Sequence, residues 1–224
     1  MILEVCCGNP ESVYAAVEGG ASRVELCSRL DLDGLTPSWE DLSALRRAFP
    51  ALRIHVLIRC RAGDFHYSVP EVDVMAADAA RARELGADGL VLGALTAGGG
   101  VDLPAMERLM AAAGDLPVTF HRAFDRVKEP FRALEEIIGL GCRRILTSGQ
   151  APSAREGTDM LCLLRERAGG RIIILPGGGI TPENAAWVAS ATGCTELHAS
   201  ASVEINGIRT TSPGKVARII SALK

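Results

Sequence analysis

The chain alternates short strand-like runs with helix-length stretches from end to end, and no other feature limits its fold as strongly. The runs that read as strands are Ile2–Cys6, Arg23–Cys27, Arg53–Arg59, Gly89–Leu92, Pro117–His121, Arg144–Ser148, Arg171–Leu175 and Glu196–Ser200. Those that read as helices are Pro10–Glu18, Ser38–Ala48, Pro70–Leu85, Leu103–Ala113, Glu129–Gly139, Ser153–Ala168, Pro182–Thr192 and Pro213–Leu223. Caps, prolines in first turns and glycines past helix ends fall at the joints between them.

Strict alternation implies a parallel sheet, because each helix carries the chain back to start the next strand in the same direction. Eight such units in 224 residues imply closure into a single α/β domain, a (β/α)8 TIM barrel over residues 1–224. An open doubly wound sheet would need two long edge strands, and no run here reads as one. The apolar fraction of 48% is enough for a sizeable core. The longest irregular connections are Ser28–Pro37, Cys60–Val69 and Ala201–Ser212.

Several function classes are disfavoured. No apolar run reaches the roughly 18 residues of a membrane span. The opening MILEVCCGNP lacks a basic n-region and a small-residue cleavage site, so a cytoplasmic location is expected. Net charge is -3 and aromatic residues make up 4%, which gives nucleic acid no basic, stacking face. The seven cysteines are odd in number and form no CxxC pair, so reduced thiols are expected. The three lysines, Lys128, Lys215 and Lys224, lie off the barrel strands, which argues against Schiff-base chemistry. No organic cofactor motif is evident. The expected assembly is a homo-oligomer, with a dimer favoured.

Side chains alternate across a strand. With Leu3 and Val5 facing the helices, Glu4 and Cys6 point into the barrel. By the same parity Glu25 and Cys27, His55, Leu57 and Arg59, Thr119 and His121, and Glu196, His198 and Ser200 point inward. Barrel interiors are mostly branched aliphatics. A single charge among them reads as a structural ion pair, but Glu4, Glu25, Arg59, His121 and His198 sit on five strands. Burying an uncompensated ion costs several kcal/mol, so this set points to a functional site at the C-terminal ends of the strands.

After the seventh strand, Pro176-Gly177-Gly178-Gly179 precedes Thr181-Pro182. A glycine loop running into a helix start would present backbone N–H groups to a phosphate or carboxylate; the alternative is a tight turn, and three consecutive glycines at this place favour the anion site. Ser200 and Ser202 could add hydroxyls. The sixth loop, Thr147-Ser148-Gly149-Gln150, reads equally as a polar site or a turn.

These residues resemble the CutC copper-homeostasis family of TIM-barrel proteins. The likeness rests on Glu4-Val5-Cys6, Arg23-Val24-Glu25-Leu26-Cys27-Ser28, Gly34-Leu35-Thr36-Pro37-Ser38 and Gly63-Asp64-Phe65. It continues through Thr119-Phe120-His121-Arg122-Ala123-Phe124-Asp125, Leu146-Thr147-Ser148-Gly149, Pro176-Gly177-Gly178-Gly179 and His198 with Ser200-Ala201. The resemblance implies Cu(I) binding, and the family's copper-associated thiols match Cys6 and Cys27. Soft Cu(I) prefers thiolate, although cysteine is also a common space filler in cores.

A second function class fits the same residues: an isomerase or lyase acting on a small anionic or phosphorylated metabolite. Glu25 and His121 are then the acid/base candidates, Arg59 and Arg61 bind negative charge, and Asp125 orients them. Ser148, Gly149, Gly177, Gly178, Gly179, His198 and Ser200 are the remaining anion-site candidates. The loop Arg59–Ser68 has the length of a lid. A third reading is a binding module without turnover. The expected partner is a copper ion or a small anionic ligand.

Overall fold

The computed structural model describes residues 1–205 and 208–224. Eight parallel strands make the sheet: β1 (Ile2–Cys7), β2 (Arg23–Leu26), β3 (Arg53–Leu57), β4 (Gly89–Leu92), β5 (Val118–Phe120), β6 (Arg144–Thr147), β7 (Ile173–Pro176) and β8 (Glu196–Ala199). Neighbours pair in chain order from β1 to β7, and β8 pairs with β1. The seam between β7 and β8 is closed by a single parallel bridge, Gly177 to His198. The architecture is the (β/α)8 barrel that the alternation requires.

Eight helices surround it: α1 (Pro10–Glu18), α2 (Trp39–Ala48), α3 (Val69–Glu84), α4 (Leu103–Ala113), α5 (Pro130–Gly139), α6 (Thr158–Ala168), α7 (Ala185–Thr192) and α8 (Pro213–Ala222). Their starts follow from local chemistry. Asn9 accepts from Ser12 N–H at 2.8 Å and Ser38 from Asp41 N–H at 3.1 Å. Ser68 and Glu71 form a capping box at α3. Among the described residues, no helix is long and apolar enough to cross a membrane.

Two helices begin later than their sequence suggests. α6 starts at Thr158 rather than Ser153, because Ser153–Gly157 forms a turn. α7 starts at Ala185 rather than Pro182. The Asn184 side chain accepts from Thr181 N–H and donates to Gly179 O, shaping a turn between the glycines and the helix. The glycine loop therefore does not run straight into a helix N-terminus. The Ala201–Ser212 connection is not irregular either. It contains an antiparallel hairpin, β9 (Ser202–Ile205) and β10 (Ile208–Thr211).

The large hydrophobic core lies between the barrel and its helices, where Leu3, Val5, Val24, Leu26, Ile54, Val56, Leu90 and Leu92 meet the apolar helix faces. Inside the barrel, parity and register stack the side chains in layers contributed by alternate strands. Arg23, Gly89, Arg144 and Glu196 make the lowest layer, from even strands. Above it come Glu4, His55, Thr119 and Leu175 from odd strands. Glu25, Val91, Leu146 and His198 follow, and then Cys6, Leu57, His121 and Gly177.

The lower layers are ionic rather than aliphatic. Arg23 is 1% exposed; its Nε lies 2.8 Å from Glu4 Oε2 and its Nη2 2.5 Å from Glu196 Oε2. Arg144 Nε donates to Glu196 Oε2 at 2.7 Å. Two guanidinium groups thus balance two buried carboxylates. Removing one partner of such a set strands a charge in a dry interior, at about 3–5 kcal/mol. Arg23→Met is expected to lower unfolding free energy by about that amount in denaturant titrations, and a loss below about 1 kcal/mol, the scale of an exposed pair, would contradict this role.

Candidate functional site

Above the ionic layers, Glu4 links the floor of the barrel to its mouth. His198 Nδ1 lies 3.0 Å from Glu4 Oε1, and His55 Nδ1 lies 2.9 Å from Glu4 Oε2. Burial works against this charge, yet hydrogen bonds from His198 and His55 and the charge of Arg23 hold the carboxyl well below its usual range. The opposite happens at His198. Burial disfavours its cation, but contacts with the Cys6 sulfur and Glu4, and the charge of Glu25, raise its pKa well above that of a free imidazole.

The next groups up are the thiols. Cys6 and Cys27 sit at the ends of β1 and just after β2, with their sulfurs 3.8 Å apart. Cys6 Sγ lies 3.6 Å from Glu25 Oε1 as a thiol donor. The Cys27 neighbour and burial push the Cys6 pKa well up, so it rests as a neutral thiol. Burial also raises the Glu25 carboxyl. Cys6, Glu25 and Cys27 each offer one donor atom within 4.8 Å of the others, as do Glu4, Glu25 and His198. Glu25 belongs to both groups and joins them. Cys7, the next residue along β1, points the other way into the helix-packed core.

This floor opens into a cavity of about 1400 Å³ at the C-terminal ends of the strands. Cys6, Glu25, Arg59, Asp125, His121, His198, Gly178, Gly179 and Ser200 all line it. The inward parity read from sequence therefore collects its residues at one place. Cys27 lies just beneath, 2% exposed. Arg61, Ser148, Gly149 and Gly177 do not line the cavity.

Those four have other engagements, Gly149 and Gly177 donating their N–H groups to Thr147 Oγ1 and Thr147 O. Arg61 binds Glu71, Asp64 and the carbonyls of Ala62 and His66, tying the third loop to α3. Ser148 donates to Ala151 O at 2.6 Å, receives Arg122 and lies 3.1 Å from Asp125. Asp125 itself accepts from Thr147 Oγ1, from the N–H groups of Ser148 and Gln150, and from Arg122. It orients the sixth loop.

The third-strand arginine is also held. Arg59 donates to the carbonyls of Leu32, Gly34 and Gly63, and its guanidinium stands 5.0 Å from the Phe65 ring centre. Phe65 in turn lies 4.8 Å from the His121 ring. A lid-length loop is thus pinned over the site by one arginine and one aromatic ring. Gly93 completes the seat, since a Cβ there would stand 2.8 Å from the His121 ring.

His121 differs from its sequence reading in one respect. It does not titrate near neutrality: burial and the charge of Arg59 lower its pKa to about 3. Its Nδ1 accepts from Ala123 N–H at 3.2 Å, which places the ring proton on Nε2. That Nε2, Arg59 Nε and Glu25 Oε2 have no hydrogen-bond partner among the described residues. Buried polar groups are normally paired, so these three are the site's open valences.

Sequence reasoning missed Arg23, Arg144, Arg122, Arg209 and Lys215. The first two begin their strands, and parity alone would have turned them inward. Arg122, Arg209 and Lys215 reach the cavity from outside the barrel strands, where the parity of the strands does not place them.

The CutC family model matches residues 1–203. The chain belongs to the CutC family. A CutC family protein from Chromobacterium violaceum is 53% identical over 200 residues, covering 89% of this chain and 81% of that one. Another from Bacteroides thetaiotaomicron is 52% identical over 198 residues, covering 88% and 80%. Among solved structures, the Streptococcus agalactiae CutC protein, named for copper homeostasis, superposes with a TM-score of 0.86 at 33% identity, covering 89% of this chain and 98% of that one. The CutC match ends within β9, so β10 and α8 lie beyond it.

A neutral His121 makes a spectroscopic prediction. A histidine whose folded pKa is depressed keeps full stability above its unfolded value, about 6.5, and loses it as pH falls towards the folded value. Imidazole ¹⁵N shifts of His121 are expected to stay at the Nε2–H tautomer between about pH 5 and 8. A titration midpoint inside that window would contradict the arrangement.

Proposed function

We propose that this CutC-family chain binds Cu(I) through Cys6 and Cys27 at the floor of the cavity. The observation that carries this reading is the 3.8 Å separation of the two sulfurs. Metal–thiolate bonds of about 2.3 Å, the value for zinc, would meet over that gap at a bent angle. A bent pair leaves room for a third donor, and Glu25 lies beside both thiols. His198 is held by Glu4 through Nδ1 and also interacts with the Cys6 sulfur. Metal-ligating histidines are almost always held in this way by a carboxylate, carbonyl or water, and metal binding here would displace the proton that His198 otherwise keeps. The donor set is soft where it matters, as Cu(I) requires.

The test is an anaerobic Cu(I) titration against a competing chelator. Cys6→Ser with Cys27→Ser is expected to abolish binding. Cys142→Ser and Cys162→Ser are expected to leave it unchanged, because Cys142 contacts Met110 and Cys162 contacts the Ala191 carbonyl, both away from the floor. A double variant that binds as tightly as the parent would overturn the reading.

A second reading is favoured by the size of the cavity. Ligand pockets for small molecules run to about 300–1,000 Å³, and a lone ion needs no such space. On this reading the protein is an enzyme for a small anionic metabolite, working by proton transfer. Among the described residues, Glu25 is the acid/base group of the cavity with a raised pKa and a free oxygen. The neutral His121 Nε2–H serves as a hydrogen-bond donor to a carbonyl or oxyanion rather than as the base. Phosphate, sulfate or a small phosphorylated sugar is then expected to raise the melting temperature. If no anion shifts it while Cu(I) does, the cavity reading fails and the copper reading stands.

A further inference from the structure

The seam of the barrel carries a group of donors that neither the thiol pair nor Glu25 uses. Gly177 lies opposite His198 across the seam, and beyond that bridge Gly179, Ile180 and Ser200 all line the cavity. Gly178 and Gly179 take φ of +94° and +72°, a path open to glycine and strained for other residues. Among the described residues, the backbone N–H groups of Gly179 and Ile180 find no acceptor. Ala201, just past Ser200, also holds a left-handed φ of +45°, and such strain in a non-glycine residue concentrates at ligand sites.

Two cations close this corner from outside the barrel strands. From the hairpin, Arg209 donates through Nη2 to Ser200 Oγ at 3.1 Å and through Nε to Ser202 Oγ at 2.8 Å. From α8, Lys215 donates to the Ser202 carbonyl at 2.7 Å. These bonds fix both side chains at the cavity wall while leaving each with further N–H donors. Glu204 stands opposite Arg209 in the hairpin register, yet among the described residues the two form no ion pair. Glu183, at the cavity edge, lies 3.6 Å from Arg218.

We propose that this corner is a phosphate-monoester subsite, in which the Gly179 and Ile180 N–H groups, Ser200, Arg209 and Lys215 hold the dianionic end of a small molecule. The remainder of that molecule extends along the cavity towards Glu25 and His121. Two fixed cations match a dianion better than the single charge of a carboxylate. Donors from three directions match three terminal phosphate oxygens. The subsite rests on the small-molecule reading of the cavity and is independent of the thiols.

The test is calorimetric titration of the metal-free protein with glycerol 3-phosphate, with glycerol and acetate as controls, followed by the same titrations on variants. The phosphate monoester is expected to bind and glycerol not to. Arg209→Ala and Lys215→Ala should each weaken it about tenfold, the scale of one charge-assisted hydrogen bond, and Arg209→Lys should recover part of the loss. Arg81→Ala, in an exposed pair with Glu84 on α3, should change nothing. Unliganded melting temperatures of the Arg209 variants serve as the folding control, and Cu(I) uptake by Arg209→Ala should match the parent. If the monoester binds equally well to the parent and to both alanine variants, the subsite is overturned while the small-molecule reading survives. If neither the monoester nor acetate binds the parent, both fall together.

Discussion

Everything at the mouth of this barrel stands on the carboxylate of Glu4. It is fully buried, yet it is kept ionised by contacts from three directions: Arg23 on β2, His55 on β3 and His198 on β8. A charge in a dry interior is tolerated only when its partners are fixed. Fixing them sets the orientation of His198 and, through it, the contact with Cys6. The lower triad, Glu196 with Arg23 and Arg144, extends the same logic across β2, β6 and β8. The barrel has replaced part of an aliphatic filling with an ion network that orients the groups above it.

That orientation explains how chemically different groups share one floor. Glu25 belongs both to the thiol cluster and to the Glu4–His198 cluster, so a change of charge at either is felt by the other. The cavity wall is built differently. Arg59 is bound by carbonyls, Phe65 lies between Arg59 and His121, and Gly93 lets the imidazole approach the backbone. The floor is ruled by electrostatics and the wall by packing, and the unpaired atoms of Glu25, His121 and Arg59 lie around the cavity they share.

Much of this was legible in the sequence. The eightfold alternation gave the barrel, and period-two parity placed Glu4, Cys6, Glu25, Cys27 and His198 inward without any structural information. Other features depend on contacts that a single chain pattern does not encode. His121 read as an acid/base candidate because neither its burial nor the proximity of Arg59, which together depress its pKa, exists until the strands close into a barrel. Thr181-Pro182 carried a helix-start signal, but Asn184 reached back to cap the turn and delayed the helix to Ala185. Arg61 read as an anion ligand, yet Glu71 three residues into the capping box of α3 takes it. The hairpin after β8 does carry a sequence signal, Asn206-Gly207 flanked by Val203, Ile205 and Ile208 in alternation, and reading the segment as an irregular connection passes over both it and Arg209.

The measurement that bears most directly on the account is X-ray absorption at the copper edge of the anaerobically loaded protein, paired with a crystal of the same complex. The account predicts one copper bound by the sulfurs of Cys6 and Cys27 in a bent geometry, with Glu25 beside it and the Glu4–His198 contact intact. Copper bound without sulfur, or at Cys60, Cys162 or another site away from the cavity floor, would contradict it.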